Sequence, residues 1–227
     1  MELPRRARTL REILEGLEDV PLLVLARGRA DLYLRGRAFK ASAGMAFLRV
    51  LRAHKGEVDP LVEVARLGPD DRVLDATLGL GGDALVAAQA TRTEVVGLDK
   101  SALLCAFTQA GLRRLPGHGA GPGRDVTVLN ADHREAFAAL EPRSFDVVLL
   151  DPMFRSAGDS SPLFELVREH ADHAPLDAAT LLAARRVARR GVLVKDAAPG
   201  RELGRLGLRP LLSRRSAAIA FGWADAL

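Results

Sequence analysis

The sequence predicts a doubly wound, mostly parallel α/β sheet, and three observations carry that expectation. A short apolar strand beginning at Arg72 turns through three glycines into an apolar helix that runs to about Ala90. Further apolar runs at residues 94–98, 126–129, 145–150 and 191–194 alternate with helical patterns. Those runs finish beside Asp99, Asn130, Asp151 and Lys195, polar residues at the carboxyl edge where open α/β sheets bind ligands.

The chain has 227 residues, enough for one well-buried domain and an accessory segment. The expected division is an N-terminal helix, hairpin and helical extension at 1–68, followed by the sheet domain at 69–227. No stretch approaches a membrane span, and the opening Met-Glu-Leu-Pro-Arg-Arg lacks the apolar core of a signal peptide. A single cysteine, Cys105, excludes an intrachain disulfide framework, and a reducing cytoplasm is the expected location. Net charge is +4, which permits a polyanionic partner without requiring one.

In chain order, Leu10, Ile13, Leu14 and Leu17 share one face of an amphipathic helix expected at 7–17. Residues 20–25 and 30–34 read as a hairpin around Arg27-Gly28. Ser42 can cap a helix at 44–54, and Asp59-Pro60 starts another that ends before Gly68. Arg37, Lys40, Arg49, Arg52, His54 and Lys55 make this region basic, as a substrate surface or as a solvated helix face.

The glycine turn reads Asp75-Ala-Thr-Leu-Gly-Leu-Gly-Gly-Asp-Ala84, and two ligands compete for it. Gly79, Gly81 and Ala84 satisfy the G-x-G-x-x-G/A spacing of a dinucleotide site, with Asp99 about twenty residues on. A pyrophosphate, however, is repelled by carboxylates at Asp75 and Asp83. S-adenosylmethionine carries an ammonium and a sulfonium and no phosphate, so the same acids favour it over NAD. Asp83 also suits the positive end of the helix dipole. Asp99 can accept both ribose hydroxyls of either ligand.

Ser101 caps the next helix, and 116–123 is a Gly- and Pro-rich connection. After the third strand, Asp132 suits either the exocyclic amine of adenine or the cap of a helix at 135–140. The central strand at 145–150 stops at Asp151-Pro152-Met153-Phe154. An exocyclic amine on a base is a poor nucleophile because its lone pair is delocalised. Asp151 and the Pro152 carbonyl can each accept one N–H hydrogen, which aims the lone pair at a methyl donor, while Phe154 can stack on the base. The plainer reading is an Asp-Pro turn that closes a strand.

Helices follow at 163–172 and 177–189. His170 and His173 lack a third ligand pattern, so no metal site is expected. Lys195 can meet a phosphate or the substrate base, or sit in a structural ion pair. A helix at 200–206 and strands at 208–212 and 217–221 complete a seven-stranded pattern whose last two strands can form a hairpin.

At these residues the chain resembles the class I, Rossmann-like S-adenosylmethionine-dependent methyltransferases. More narrowly it resembles the RsmJ family, which methylates a guanine N2 amine in small-subunit ribosomal RNA. The resemblance is carried by the glycine turn, by Leu150-Asp-Pro-Met-Phe154, by the 177–189 helix and by Val192-Leu-Val-Lys195. Gly56-Glu-Val-Asp-Pro60 also resembles the approach to this turn in related bacterial methyltransferases. It implies cofactor contacts around Asp75, Thr77, Gly79, Asp99 and Asp132, and catalysis at Asp151, Pro152, Met153 and Phe154. Gly81, Gly82, Asp83 and Lys100 complete the expected cofactor set; Lys40, Arg155 and Lys195 are the expected substrate contacts. The chain departs from the family pattern after Phe154, at Arg155-Ser-Ala-Gly-Asp-Ser-Ser161, and after Lys195, at Asp196-Ala.

The expected function is therefore methyl transfer from S-adenosylmethionine to an amino nitrogen, with RNA, ribosomal RNA above all, as substrate. Transfer is direct and in line, because Cys105 lies in a helix rather than at the sheet edge. A protein or small-molecule amine is the alternative acceptor, and an NAD-dependent oxidoreductase the alternative class.

Overall fold

The computed structural model describes residues 9–15, 17, 19–41, 44–115, 126–152, 161–211 and 218–227. Helix α1 (Leu10–Leu14) opens it, fixed by a capping box between Thr9 and Glu12. It is shorter than the expected 7–17 and buries none of its residues. So short a helix has few internal hydrogen bonds to hold it without a packed face.

Strands β1 (Leu22–Ala26), β2 (Arg29–Leu34) and β3 (Arg37–Lys40) make a small antiparallel sheet in that order. The expected hairpin thus gains a third strand. Its two-residue turn places Arg35 and Gly36 at φ of 49° and 69°, the backbone that suits a twisted hairpin. Helices α2 (Gly44–His54) and α3 (Pro60–Ala65) follow, with Asp59 capping α3. Ser42, the expected cap of α2, lies outside the described residues.

The main sheet is built from β4 (Val73–Asp75), β5 (Val95–Asp99), β6 (Val126–Asn130), β7 (Phe145–Leu150), β8 (Ala188–Ala197) and β9 (Ile219–Asp225). Its helices are α4 (Gly82–Thr91), α5 (Ala102–Leu112), α6 (His133–Ala139), α7 (Pro162–His170), α8 (Ala178–Val187) and α9 (Arg201–Arg205). Strand order is β6-β5-β4-β7-β8-β9; the β8–β9 pairing is antiparallel and the other four are parallel. The doubly wound, mostly parallel expectation is met. The strand count is six among the described residues rather than seven: where a strand was expected at 208–212, Leu211 alone bridges Phe221 of β9.

Burial on both faces explains the continuous apolar strands. Val147 and Leu149 of β7 enter one core with α2, α3 and α4, through Val50, Leu61 and Leu85. Val148 and Leu150 point the other way, into a second core with Phe137, Leu181 and Leu203. A third cluster seats Leu32, Leu34 and Phe39 of the small sheet on Phe107 of α5 and Leu166 of α7. Truncating a fully buried leucine such as Leu85 to alanine costs about 2–5 kcal/mol.

Chain order reverses between β4 and β7: β5 and β6 extend one side, β7 to β9 the other. A crevice opens beyond the carboxyl ends of strands at such a switch point. Asp75 ends β4, Asp99 ends β5, and Asp151 follows β7. Because Leu150 pairs with Val194, Lys195 falls level with Asp151.

Candidate active site

The glycine turn is held by its own backbone and by the next strand. Leu78 N donates to Leu98 O at 2.8 Å and Gly81 N to Leu78 O at 2.7 Å. Leu78 then lies across β5, where a Cβ on Gly97 would meet its Cδ1 at 2.5 Å. Gly79 and Gly81 adopt φ of +51° and +74°, which favours glycine. A Cβ on Gly79 would meet nothing within 4 Å, so the backbone there faces open space, while one on Gly81 would press on Thr108 and Leu112.

Asp99 fastens this turn to the sheet. Its Oδ2 accepts Gly79 N at 3.0 Å and its Oδ1 accepts Ser101 N at 2.8 Å. Burial pushes its carboxyl above the usual range. Thr77 links the turn to β7, since its Oγ1 accepts Asp151 N at 2.6 Å and its own N–H reaches Asp75 Oδ1 at 3.2 Å.

A chain of alternating charges crosses the floor of the crevice. Arg49 of α2 clamps Asp59 through Nε and Nη2 at 2.7 and 2.8 Å, and sends Nη1 to Asp83 Oδ1 at 2.6 Å. Lys195 Nζ lies 2.8 Å from Asp83 Oδ2 and 2.5 Å from Asp151 Oδ2. Burial would raise the Asp83 carboxyl, but Lys195 and Arg49 outweigh it and hold it near 2. Burial also opposes the Lys195 charge, yet Asp151 and Asp83 win and raise its pKa. Among the described residues Asp75 accepts only a backbone N–H in place of such a clamp: burial, then the Asp83 charge, push it up to about 8. Burial likewise raises Asp151, whose side chain keeps 32% of its surface open and so within reach of a bound molecule.

A cleft of about 400 Å³ lies over these groups, within the range of small-molecule sites. Asp75, Thr77, Gly79, Gly82 and Asp83 line one side; Asp99 and Lys100 line a second, and Asp151, Pro152 and Lys195 the sheet end. Leu163, Phe164 and Val167 of α7 form an apolar wall, and Phe164 is exposed. Gly81, Asp132 and Lys40 do not line it. Asp132 caps α6 by accepting Arg134 N at 2.9 Å and pairs with Lys100 at 3.0 Å. Lys40 stands exposed on β3. Met153, Phe154 and Arg155 lie outside the described residues.

In the sequence, Arg49 stands only among the charges of a basic region and Asp59 only as a helix start; neither reads there as a partner of Asp83 or of the site beyond it. The available signal was position: Arg49 lies at helical spacing with Ala46, Val50 and Ala53 on the inward face of α2, whereas Arg52 and Lys55 are exposed. Asp83 is neither a simple dipole partner nor an open anion, because both its oxygens are held by cations. Cys105 is buried, with Sγ 3.3 Å from Asp99 O, and burial pushes its thiol up. Asp196 is also internal, accepting Glu202 N at 2.8 Å and Leu203 N at 3.3 Å at the start of α9.

A family model described as "Putative SAM-dependent methyltransferase" matches residues 50–205. "Uncharacterized protein YpiP" of Bacillus subtilis (strain 168) is 31% identical over 229 residues, covering 96% of this chain and 86% of its own. "Ribosomal RNA small subunit methyltransferase J" of Yersinia pestis (strain Pestoides F) is 33% identical over 193 residues, covering 78% of this chain and 74% of its own. Among solved structures, the SAM-dependent methyltransferase NGO1261 from Neisseria gonorrhoeae shares the fold, with TM-score 0.63 and 21% identity over 92% of this chain and 84% of that one.

Proposed function

The chain belongs to the SAM-dependent methyltransferase family, and from that premise we propose that it methylates an exocyclic amino nitrogen of a base in RNA, with ribosomal RNA as the substrate class. The family assignment removes the NAD-dependent alternative. The residues present fit S-adenosylmethionine: Gly79 faces open space that a Cβ would fill, and Asp99 stands at the end of β5 beside it. The charged acids of the floor, Asp59, Asp83 and Asp151, outnumber its two cations, Arg49 and Lys195, while Asp75 beside them is held protonated, which suits a cationic ligand better than a diphosphate.

The observation that carries the reading is Asp151-Pro152, standing at the carboxyl end of β7 in the same cleft as Gly79 and Asp99. When bound, S-adenosylmethionine supplies an electrophilic methyl group. The chain's part is to hold the acceptor. Lys195 fixes Asp151 Oδ2 and Thr77 fixes the Asp151 backbone, which leaves Oδ1 to accept one amino N–H while the Pro152 carbonyl accepts the other. Positioning of this kind contributes about 7–11 kcal/mol in well-oriented systems. The proton the amine sheds passes to Asp151, whose raised pKa makes it a better acceptor.

Charge supports a polyanionic substrate. Between Val20 and Lys55 stand eight Lys and Arg against one acid, Asp31, whereas the rest of the chain holds 25 against 28. The excess therefore sits in the extension, and α2 carries it to the cleft through Ala46 and Arg49. In this reading residues 1–68 present the RNA and residues 69–227 hold the methyl donor.

The test is methyl transfer from labelled donor into total RNA of a strain lacking this protein, followed by nucleoside analysis. Label in an N-methylated base supports the proposal. Label in protein or small molecules alone would move the acceptor to a different amine.

A further inference from the structure

We propose that Arg49 is a positioning residue for methyl transfer: it holds Asp83, and through Asp83 holds Lys195 against Asp151. The inference deepens the reading above and rests on it. Arg49 sits on α2, away from the sheet that carries the acceptor motif, yet its planar fork is divided between two carboxylates. Nε and Nη2 take both oxygens of Asp59, and Nη1 takes Asp83 Oδ1. Asp59 is itself anchored, since Oδ1 accepts Leu61 N at 2.9 Å at the start of α3. Asp83 is therefore fixed from the α2–α3 side, and its second oxygen is presented to Lys195.

The Lys195 stem is flexible, so its ammonium rests where its two carboxylates put it. Release Asp83 and the ammonium follows, freeing Asp151 Oδ2 from the group that fixes it. A lysine at position 49 would keep the charge but lose the fork, because one ammonium cannot take both Asp59 oxygens and still reach Asp83 in the same geometry.

A merely structural tie between α2, α3 and α4 would alter stability alone. Among the described residues, the groups facing Asp151 are Lys195 from β8, Asp83 from α4, Asp75 from β4 and Arg49 from α2, with Asp59 behind Arg49. Removing the guanidinium leaves this set more negative, so Asp151 keeps its proton to higher pH and ceases earlier to accept an amino N–H.

The experiment uses the full chain as wild type, Arg49→Met and Arg49→Lys, with Arg49→Gln in place of Arg49→Met should that variant not fold. Carboxyl carbon NMR of the ligand-free protein follows Asp151 against pH. Turnover on RNA from the deficient strain and S-adenosylmethionine Kd are read alongside. The expected result for the uncharged variant is an Asp151 midpoint raised by about half a unit or more, kcat down by roughly tenfold or more, and donor Kd nearly unchanged. Arg49→Lys keeps the midpoint near wild type and recovers only part of the turnover. A midpoint and kcat equal to wild type in the uncharged variant overturn the inference, whatever its melting temperature. Wild type that transfers no methyl to RNA sinks the acceptor proposal instead, and the ligand-free titration still decides the role of Arg49.

Discussion

Lys195 Nζ lies 2.5 Å from Asp151 Oδ2, a contact set by the β7–β8 register that pairs Leu150 with Val194. The lysine is 19% exposed and the aspartate 32%, so the pair is screened from bulk water yet open to the cleft. Removing one member of such a pair leaves a charge without compensation. Lys195→Met is therefore expected to lose about 3–5 kcal/mol of stability, with methyl transfer reduced further at low pH as Asp151 and Asp83 take up protons. Urea unfolding and a pH–rate profile check both effects; unchanged stability would mean that the pair does not stand in solution.

Asp99 accepts from Gly79 and Ser101, so it shapes the turn as well as offering oxygens to the donor. Asp99→Ala strands both N–H groups at about 1–3 kcal/mol in total. The donor Kd, read by calorimetry with S-adenosylhomocysteine, is expected to rise roughly tenfold or more, with little change in RNA binding.

Asp75 gives a signature in stability. Its folded pKa of about 8 stands above the ordinary 3.8, so its contribution is full below about pH 3.8 and is lost as pH rises through 8. Over that window the folded state holds a proton that the unfolded state has released, and stability falls by at most about 1.4 kcal/mol per pH unit. Asp75→Asn removes this slope while keeping an acceptor for Thr77 N. The variant's unfolding free energy should gain on wild type steadily between pH 5 and pH 8; a constant difference would contradict a protonated Asp75.

Arg52 and Lys55 are exposed at the end of α2 and beyond it, where the charge excess lies. Reversing both to glutamate should raise the KM for RNA and lower the slope of log K against log salt by roughly one for each phosphate no longer neutralised. Donor Kd should stay as in wild type. An unaltered salt slope would place the RNA elsewhere.

Much of the fold was legible because buried parallel strands read as apolar runs and a strand, glycine turn and helix form a local pattern. β7 and the turn at Gly79 are of this kind. β3 was not legible: only Phe39 of its four residues is buried, and Arg37 and Lys40 at its ends read as solvated charge. Of the expected strand at 208–212 the described residues show the single bridge at Leu211, since Leu208 packs beside the second core. In the site, the carboxylates at strand ends could be named from the sequence because topology places them. The partnership of Arg49 with Asp83 and of Lys195 with Asp151 could not, because it depends on how α2 and β8 are brought to the crevice. Charge was legible as composition, and its pairing only as geometry.

The most direct measurement is single-turnover methyl transfer by Asp151→Ala on RNA from the deficient strain, with donor Kd measured on the same preparation. Loss of the acceptor oxygens should slow transfer by about 100-fold or more while Kd stays within about twofold of wild type. Transfer at the wild-type rate would contradict the account, because the amine would then be oriented by some group other than Asp151.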